Sequence, residues 1–184
     1  MRVHAASVES VNLGEGRHRA AWGSITERTV IHLTMTDELG ERAVGEAAPL
    51  AGYTEDSLEK TRESLERVLS SDGGLLGASV ERPEDIVRLL AKLDLTPAAA
   101  HAIDQALLSL LARRAKRSIS SLLAPNPRSA IASHALIHDL DGARRAIARG
   151  VTALKIKLGL RAWNEELQWV ETLRRELGPE VAIR

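Results

Sequence analysis

The sequence contains no cysteine and no phenylalanine, and aromatic residues make up only 2% of it. Without cysteine, disulfides and thiolate metal sites are excluded. With so few aromatic side chains, we do not expect a stacking platform for single-stranded nucleic acid. The chain has 25 basic and 25 acidic residues, so it lacks the basic excess of a nucleic-acid or membrane-surface binder.

Long apolar segments are also missing. No segment approaches the roughly 20 apolar residues that span a bilayer, and residues 1–4 lack the hydrophobic run that begins a signal peptide. We therefore expect a cytoplasmic protein with no membrane partner. Its 184 residues, 44% of them hydrophobic, suffice for one domain or two small ones with a buried core.

The beginning of the chain is rich in β-branched and alternating residues, which predicts three strands. The predicted strands are residues 3–13, 25–35 and 42–48. A turn at residues 37–40 joins the last two as an antiparallel hairpin. Residues 14–19 are polar and contain glycine, so we predict a loop there.

Helical patterns follow these strands. Predicted helices begin near Thr54, at Pro83 and after Thr96, and the last of them ends near Arg114. Residues 70–77 are rich in glycine and are interpreted as a flexible linker. Strands followed by helices indicate an α+β module.

The pattern changes near Pro125, and we predict a boundary there between a domain at residues 1–125 and another at 126–184. Beyond it, strands and helices alternate. The predicted strands are residues 131–137, 151–158 and 181–184, and the predicted helices are residues 140–149 and 163–177. Such alternation is typical of a parallel barrel or a doubly wound sheet.

The strand predicted at residues 151–158 carries charge where a buried parallel strand should have none. Lys155 and Lys157 share one face, about 6–7 Å apart, whereas Leu154 and Ile156 share the other face. Because helical patterns flank the strand, we expect the apolar face to pack under helices and the lysines to point inward. An edge strand with a solvated lysine face is the alternative.

Two motifs resemble the enolase superfamily: Gly-Glu-Ala-Ala-Pro-Leu-Ala-Gly-Tyr at residues 45–53 and Ala-Leu-Lys-Ile-Lys-Leu-Gly at 153–159. The second is similar to the muconate-lactonizing branch, and the first is most like the motif of o-succinylbenzoate synthases. The resemblance covers the whole chain. It implies an α+β N-terminal capping domain followed by the first units of a (β/α) TIM-like barrel, truncated at the start of the third barrel strand.

The resemblance also implies an activity, that of a metal-dependent lyase that removes a proton α to a carboxylate. The specific expectation is dehydration of 2-succinyl-6-hydroxy-2,4-cyclohexadiene-1-carboxylate to o-succinylbenzoate, in menaquinone biosynthesis. Lys157 would be the acid/base residue. Lys155 would keep Lys157 neutral often enough to accept a proton and would stabilise anionic charge. A dipeptide epimerase or N-succinylamino acid racemase of the same family is one alternative, and a non-catalytic interaction domain is another.

By the same resemblance, two loops would close over the site and select a small-molecule carboxylate substrate. These loops are residues 17–24 and 49–53. Arg19 would contact a carboxylate, Leu50 and Tyr53 would make apolar contacts, and Ser133 on the first barrel strand would touch substrate. An ordinary surface, hinge or filler position is the alternative for each of these residues.

The family's divalent metal, usually Mg²⁺, would neutralise the enediolate. Its carboxylate ligands are expected after Arg184, so no residue of this sequence is assigned to the metal. We therefore predict that this chain alone is inactive. The oligomeric state is left open, a homo-oligomer included.

Overall fold

The computed structural model of the chain describes residues 1–20 and 23–184, with side chains described at all of these positions except 15–20 and 23–26. The chain divides into two compact units. Unit 1 comprises Met1–Gly16 and Thr26–Pro127, and unit 2 comprises Arg17–Ile25 and Arg128–Arg184. The boundary after Pro127 lies in the proline-containing segment where the sequence pattern changes.

The first seven elements form an α+β arrangement. They are β1 (Val3–Ala20), β2 (Gly23–Asp37), β3 (Arg42–Ala47), α1 (Leu58–Leu69), α2 (Pro83–Leu90), α3 (Pro97–Arg114) and α4 (Ile119–Leu123). The strands lie in the order β1-β2-β3, and β2 pairs with β3 in antiparallel register. The hairpin turn is closed by Asp37, whose carboxylate accepts hydrogen bonds from the backbone N–H groups of Leu39 and Glu41 at 2.9 Å.

Strand β1 differs from its prediction. It runs to Ala20, so the polar loop predicted at residues 14–19 is wrong. The hydrogen bonds of a strand ladder come from the backbone, and polar side chains alone do not end a strand. Composition therefore could not distinguish an extended polar strand from a loop.

Helix α3 packs directly on β3, and a glycine makes the close approach possible. A Cβ atom at Gly45 would lie 1.8 Å from the carbonyl oxygen of Ala102, so no other residue fits without moving the helix backbone. On the same helix, the Gln105 side chain accepts a hydrogen bond from the Glu46 N–H at 2.7 Å. The glycine that opens the Gly-Glu-Ala-Ala-Pro motif thus has a packing explanation.

The core of unit 1 lies between this sheet and helices α1 to α3. Its fully buried side chains come from the strands, from α1, α2 and α3, and from the segment before α2. The largest of them are Ile31, Leu33, Met35, Leu65, Leu75, Ile86, Ile103, Leu107 and Leu110. A core of this kind is dominated by apolar burial.

Helix α1 begins later than predicted, at the N-cap Ser57, whose hydroxyl accepts a hydrogen bond from the Lys60 N–H at 3.1 Å. Asp56, expected in the first turn of this helix, instead accepts a bond from the Ala98 N–H at 2.9 Å, in the first turn of α3. Asp56 is 8% exposed. A carboxylate can therefore cap a helix from elsewhere in the chain. Thr96 is the N-cap of α3, as predicted.

The segment at residues 70–77 is not a flexible linker, and that interpretation is wrong. Leu75 is fully buried in the core of unit 1. Gly77 donates its N–H to the Val3 carbonyl and Val3 donates to the Ala78 carbonyl, both at 2.9 Å. Glycine-rich composition indicated flexibility, but backbone pairing and one buried leucine fix the segment in place.

Unit 2 contains alternating short strands and helices. They are β4 (Ala135–Leu136), α5 (Leu140–Ala148), β5 (Ala153–Lys155), α6 (Trp163–Leu177) and β6 (Ala182–Ile183). The strands form a parallel sheet in the order β4-β5-β6. The helices match the prediction closely, because helix hydrogen bonds are local. The strands are shorter than predicted, because a strand extends only as far as a neighbouring strand pairs with it.

The helices of unit 2 pack on one face of this sheet. The buried residues there are Ile137, Ala143, Ala146, Leu154 and Leu173. Asp139 is the N-cap of α5, and its carboxylate accepts the Gly142 N–H at 2.6 Å. In the described part of the chain, no helix is both long and apolar enough to cross a bilayer.

Candidate functional site

Lys155 is the last residue of β5, and Lys157 follows two residues later in the chain. Leu154 is 0% exposed and belongs to the buried cluster, and Ile156 packs against that cluster. Lys155 and Lys157 alternate with these two residues and are both exposed. The predicted alternation thus holds for the buried Leu154 and the exposed Lys155 within β5, and the inward direction of the two lysines stays a prediction.

The lysine face extends across the neighbouring strands. Lys155 is in register with Leu136 on β4, and Leu136 is 46% exposed. On the other side, the Ile156 N–H donates to the Arg184 carbonyl at 2.9 Å, which continues the pairing of β5 and β6 past the end of β5. Lys157 follows this bond directly. Two ammonium groups on one face attract anions and carboxylates.

The loop after the lysines is held by Glu166, which lies in the first turn of α6 and is only 6% exposed. Its carboxylate accepts three backbone hydrogen bonds: from Gly159 at 2.9 Å, from Leu160 at 2.8 Å and from Arg161 at 3.1 Å. The bond from the Gly159 N–H is the main cause that lowers the pKa of Glu166 below its ordinary value. Glu166 is therefore held as a carboxylate.

Sequence reasoning missed Glu166. The only available signal was its position among the acids of a helix first turn, where the helix dipole favours carboxylates. Glu165 has the same signal but is exposed. Periodicity could not say which of the two adjacent acids turns toward the preceding loop.

The turn that carries Leu50 and Tyr53 is closed by local hydrogen bonds. The N–H groups of Tyr53 and Thr54 both donate to the Leu50 carbonyl at 2.9 Å, and the Leu50 N–H donates to the Thr54 hydroxyl at 3.0 Å. Tyr53 is 77% exposed, and Leu50 is half-buried. Their substrate contacts stay predictions.

Ser133 and Arg19 are the other two predicted substrate contacts. Ser133 is exposed and lies in the segment before β4, not within a strand. The side chain of Arg19 lies outside the described residues, as do Ala21 and Trp22 of the predicted 17–24 loop. The roles assigned to Ser133 and Arg19 therefore also stay predictions.

Among the described side chains of residues 1–20 and 23–184, no three His, Cys, Asp or Glu side chains are grouped so that they could hold a metal ion. His134 and His138 are exposed and belong to no such group. The residues present here do not fit a metal site.

Residues 5–124 match the family described as mandelate racemase / muconate lactonizing enzyme, N-terminal domain. The chain belongs to this family. The resemblance to the enolase superfamily is thereby confirmed, and residues 5–124 are its N-terminal capping domain, with the expected α+β content. No curated protein matches the sequence.

Several solved structures share the fold. The dipeptide epimerase from Enterococcus faecalis V583, complexed with Mg and L-Leu-L-Tyr, is 23% identical with a TM-score of 0.80, covering 100% of this chain and 53% of the epimerase. The N-succinyl Arg/Lys racemase from Bacillus cereus ATCC 14579 is 20% identical with a TM-score of 0.82, covering 100% and 51%. The muconate lactonizing enzyme from Pseudomonas fluorescens, complexed with muconolactone, is 21% identical with a TM-score of 0.79, covering 100% and 52%.

This chain spans about half the length of each of these structures. At such identities the likeness shows a common fold, and fold alone does not specify a reaction. The three structures are a dipeptide epimerase, an N-succinyl Arg/Lys racemase and a muconate lactonizing enzyme, so the shared fold accompanies different reactions. The two lysines and their surroundings, and not the fold, therefore bear on the reaction.

Proposed function

We propose that this chain carries the acid/base lysines of an enolase-superfamily enzyme that removes a proton α to a carboxylate. One observation carries the proposal: Lys155 and Lys157 are both exposed, while Leu154 next to Lys155 on β5 is fully buried. Two exposed cations at this spacing suit an anionic substrate. Membership in the mandelate racemase / muconate lactonizing enzyme family supports the proposal.

In the proposed reaction, neutral Lys157 accepts the α-proton on Nζ. The electron pair of the broken C–H bond moves into the carboxylate and forms an enediolate. Lys155, as an ammonium, attracts the substrate carboxylate and stabilises the negative charge that develops. Lys157 then carries the proton until the second half of the reaction.

A divalent metal is also part of this proposal. The dipeptide epimerases from Enterococcus faecalis and Methylococcus capsulatus were solved as complexes with Mg. A divalent metal supplies charge neutralisation to an enediolate. Since the described residues of this chain do not fit a metal site, we propose that the ligands lie elsewhere in the complete enzyme.

Two reactions share the proton abstraction. In dehydration of 2-succinyl-6-hydroxy-2,4-cyclohexadiene-1-carboxylate, the hydroxyl on the neighbouring carbon leaves with a proton as water, and o-succinylbenzoate forms. In epimerisation or racemisation, a proton returns to the same carbon from the opposite face. The motif at residues 45–53 favours the dehydration. The likeness to dipeptide epimerases and to an N-succinyl Arg/Lys racemase favours epimerisation or racemisation to the same degree.

The test uses the complete gene product with Mg²⁺ in D₂O. Three probes are followed by NMR: the cyclohexadiene carboxylate, L-Leu-L-Tyr and N-succinyl-arginine. Either aromatic product or deuterium at the α-carbon is expected with at least one probe. Lys157→Ala should lower that rate at least about 100-fold, whereas Lys92→Ala, which removes an exposed lysine of unit 1, should leave it unchanged.

Two outcomes would contradict the proposal. One is a Lys157→Ala variant that keeps the activity of the parent protein. The other is a complete gene product that neither converts any of the probes nor exchanges their α-protons, which would favour a non-catalytic interaction domain. The gene sequence after the Arg184 codon is an independent check, since strands ending in Asp, Glu and Asp, followed by a lysine, would support the enzyme.

A further inference from the structure

The loop between β5 and α6 presents three consecutive backbone N–H groups to one carboxylate. Gly159, Leu160 and Arg161 donate to the two oxygens of Glu166 over 2.8–3.1 Å. Successive N–H groups that converge in this way form an anion-binding concavity. In this chain the anion is the Glu166 side chain of the next helix, which fills the concavity, and the residue is only 6% exposed.

Glu166 does not serve as the cap of its own helix. The N-cap of α6 is Ala162, which has no capping side chain, and the three donors precede the helix. The Glu166 N–H meanwhile donates to the Ala162 carbonyl at 3.1 Å, within the first turn. The carboxylate therefore ties the preceding loop to the first turn of α6.

Lys157 lies in that loop, two residues before Gly159. On one side of Lys157, the Ile156 N–H is bonded to the Arg184 carbonyl at 2.9 Å. On the other side, Gly159 has a φ of +84°, a left-handed conformation that glycine adopts readily, and its N–H is the first of the three that Glu166 accepts. The backbone is thus anchored at Ile156, directly before the lysine, and at Gly159, two residues after it.

We propose that Glu166 is a positioning residue for Lys157, holding the loop that sets where the lysine backbone leaves the sheet. The inference rests on the proposed role of Lys157 in proton abstraction. A displacement of about 1 Å at a reacting group can reduce a rate roughly 100-fold. Glu166 acts through this geometry and makes no contact with the reacting atoms.

The charge of the carboxylate matters as well as its size. An ionised carboxylate only accepts hydrogen bonds, and its two oxygens serve all three donors. A glutamine at this position keeps the volume but turns one oxygen into an NH₂ group, which faces the loop donors with donors of its own. Glu166→Gln should therefore loosen the loop without creating a cavity.

The test compares Glu166→Gln with Glu165→Gln in the complete gene product. Glu165 is the adjacent acid of the same helix turn and is exposed, so its variant is the matched control. Activity is measured per folded molecule, with kcat and KM separated, on whichever probe the parent protein turns over. Exchange of the amides of residues 159–161 is followed by NMR.

We expect Glu166→Gln to lower kcat at least about tenfold with little change in KM, and to speed exchange of the three loop amides. Glu165→Gln should change neither. The inference is overturned if kcat per folded molecule stays at the parent value, or if the three amides keep their protection. Lys157→Ala separates the two proposals: if that variant stays active, the proposed function fails, whereas an inactive Lys157→Ala with a fully active Glu166→Gln removes only the positioning role.

Discussion

Units 1 and 2 both pack helices on one face of a three-stranded sheet, but their opposite faces differ. In unit 1, that face carries the cross-strand pair His32 and Glu46 at 3.3 Å beside the exposed Val44. In unit 2, it carries Lys155 and Lys157 next to the exposed Leu136. Like charges close together on one face of a sheet are destabilising, whereas a hydrogen-bonded cross-strand pair is mildly favourable.

The two exposed faces indicate different roles, structural in unit 1 and functional in unit 2. The exposed face of unit 1 follows the ordinary rules of a solvated sheet. The exposed face of unit 2 does not, and departures from local rules are expected at functional sites. The carboxylate of Glu166 shows the same division, because it satisfies backbone donors in a loop that leads from the lysines.

The largest effect is expected in unit 1, from Gly45→Val. Because a Cβ at Gly45 would lie 1.8 Å from a backbone oxygen of α3, no side-chain rotation can relieve the clash, and α3 must leave β3. The loss of unfolding free energy should be at least about 4 kcal/mol, beyond the usual range for overpacking. Urea unfolding measures it, and Val44→Ala on the exposed face of β3 is the control. A loss within about 1 kcal/mol would mean that α3 does not rest on β3 in this way.

A smaller loss is expected in unit 2, from Leu154→Ala. Leu154 is fully buried under the helices, and truncating it should cost about 2–3 kcal/mol, near the low end for leucine because a small core can collapse around the gap. Leu136→Ala is the matched control, since Leu136 lies on the neighbouring strand and is 46% exposed. Urea unfolding curves that rank the two variants equally would contradict the assignment of the two faces.

The smallest effect concerns pH and Asp85 of unit 1, which holds a backbone segment much as Glu166 does in unit 2. Hydrogen bonds from the Arg88 side chain, and then from the Glu81 and Arg82 N–H groups, lower the pKa of Asp85 to about 2. Since an unfolded aspartate titrates near about 3.9, the stabilisation is complete above that pH and is lost as the pH falls toward 2.

Carbon-13 NMR of the Asp85 carboxyl should therefore show a midpoint near 2. In urea unfolding at pH 2 to 5, Asp85→Asn should lose less stability on acidification than the parent protein does. A midpoint near 4, with parallel pH curves for the two proteins, would show that these hydrogen bonds do not hold in solution.

Sequence reasoning succeeded where the interactions are local. The N-cap Thr96 before Pro97 and the span of α6, Trp163–Leu177, follow from residues a few positions apart. The alternation of Leu154, Lys155, Ile156 and Lys157 also follows from a strand's period of two, so the faces could be assigned without coordinates. The motifs at residues 45–53 and 153–159 predicted membership in the enolase superfamily.

The remaining features depend on segments far apart in the chain. Asp56 reaches the N-terminus of α3, Leu75 enters the core from a glycine-rich segment, and Gly45 admits the backbone of a helix. In each case the deciding contact is made by a partner that no local pattern identifies. The sequence by itself determined which faces are apolar and where the lysines stand, because periodicity is a property of the backbone. Only the tertiary structure decided that Glu166, and not Glu165, turns toward the loop, because a buried carboxylate must find donors and those donors are brought to it by folding.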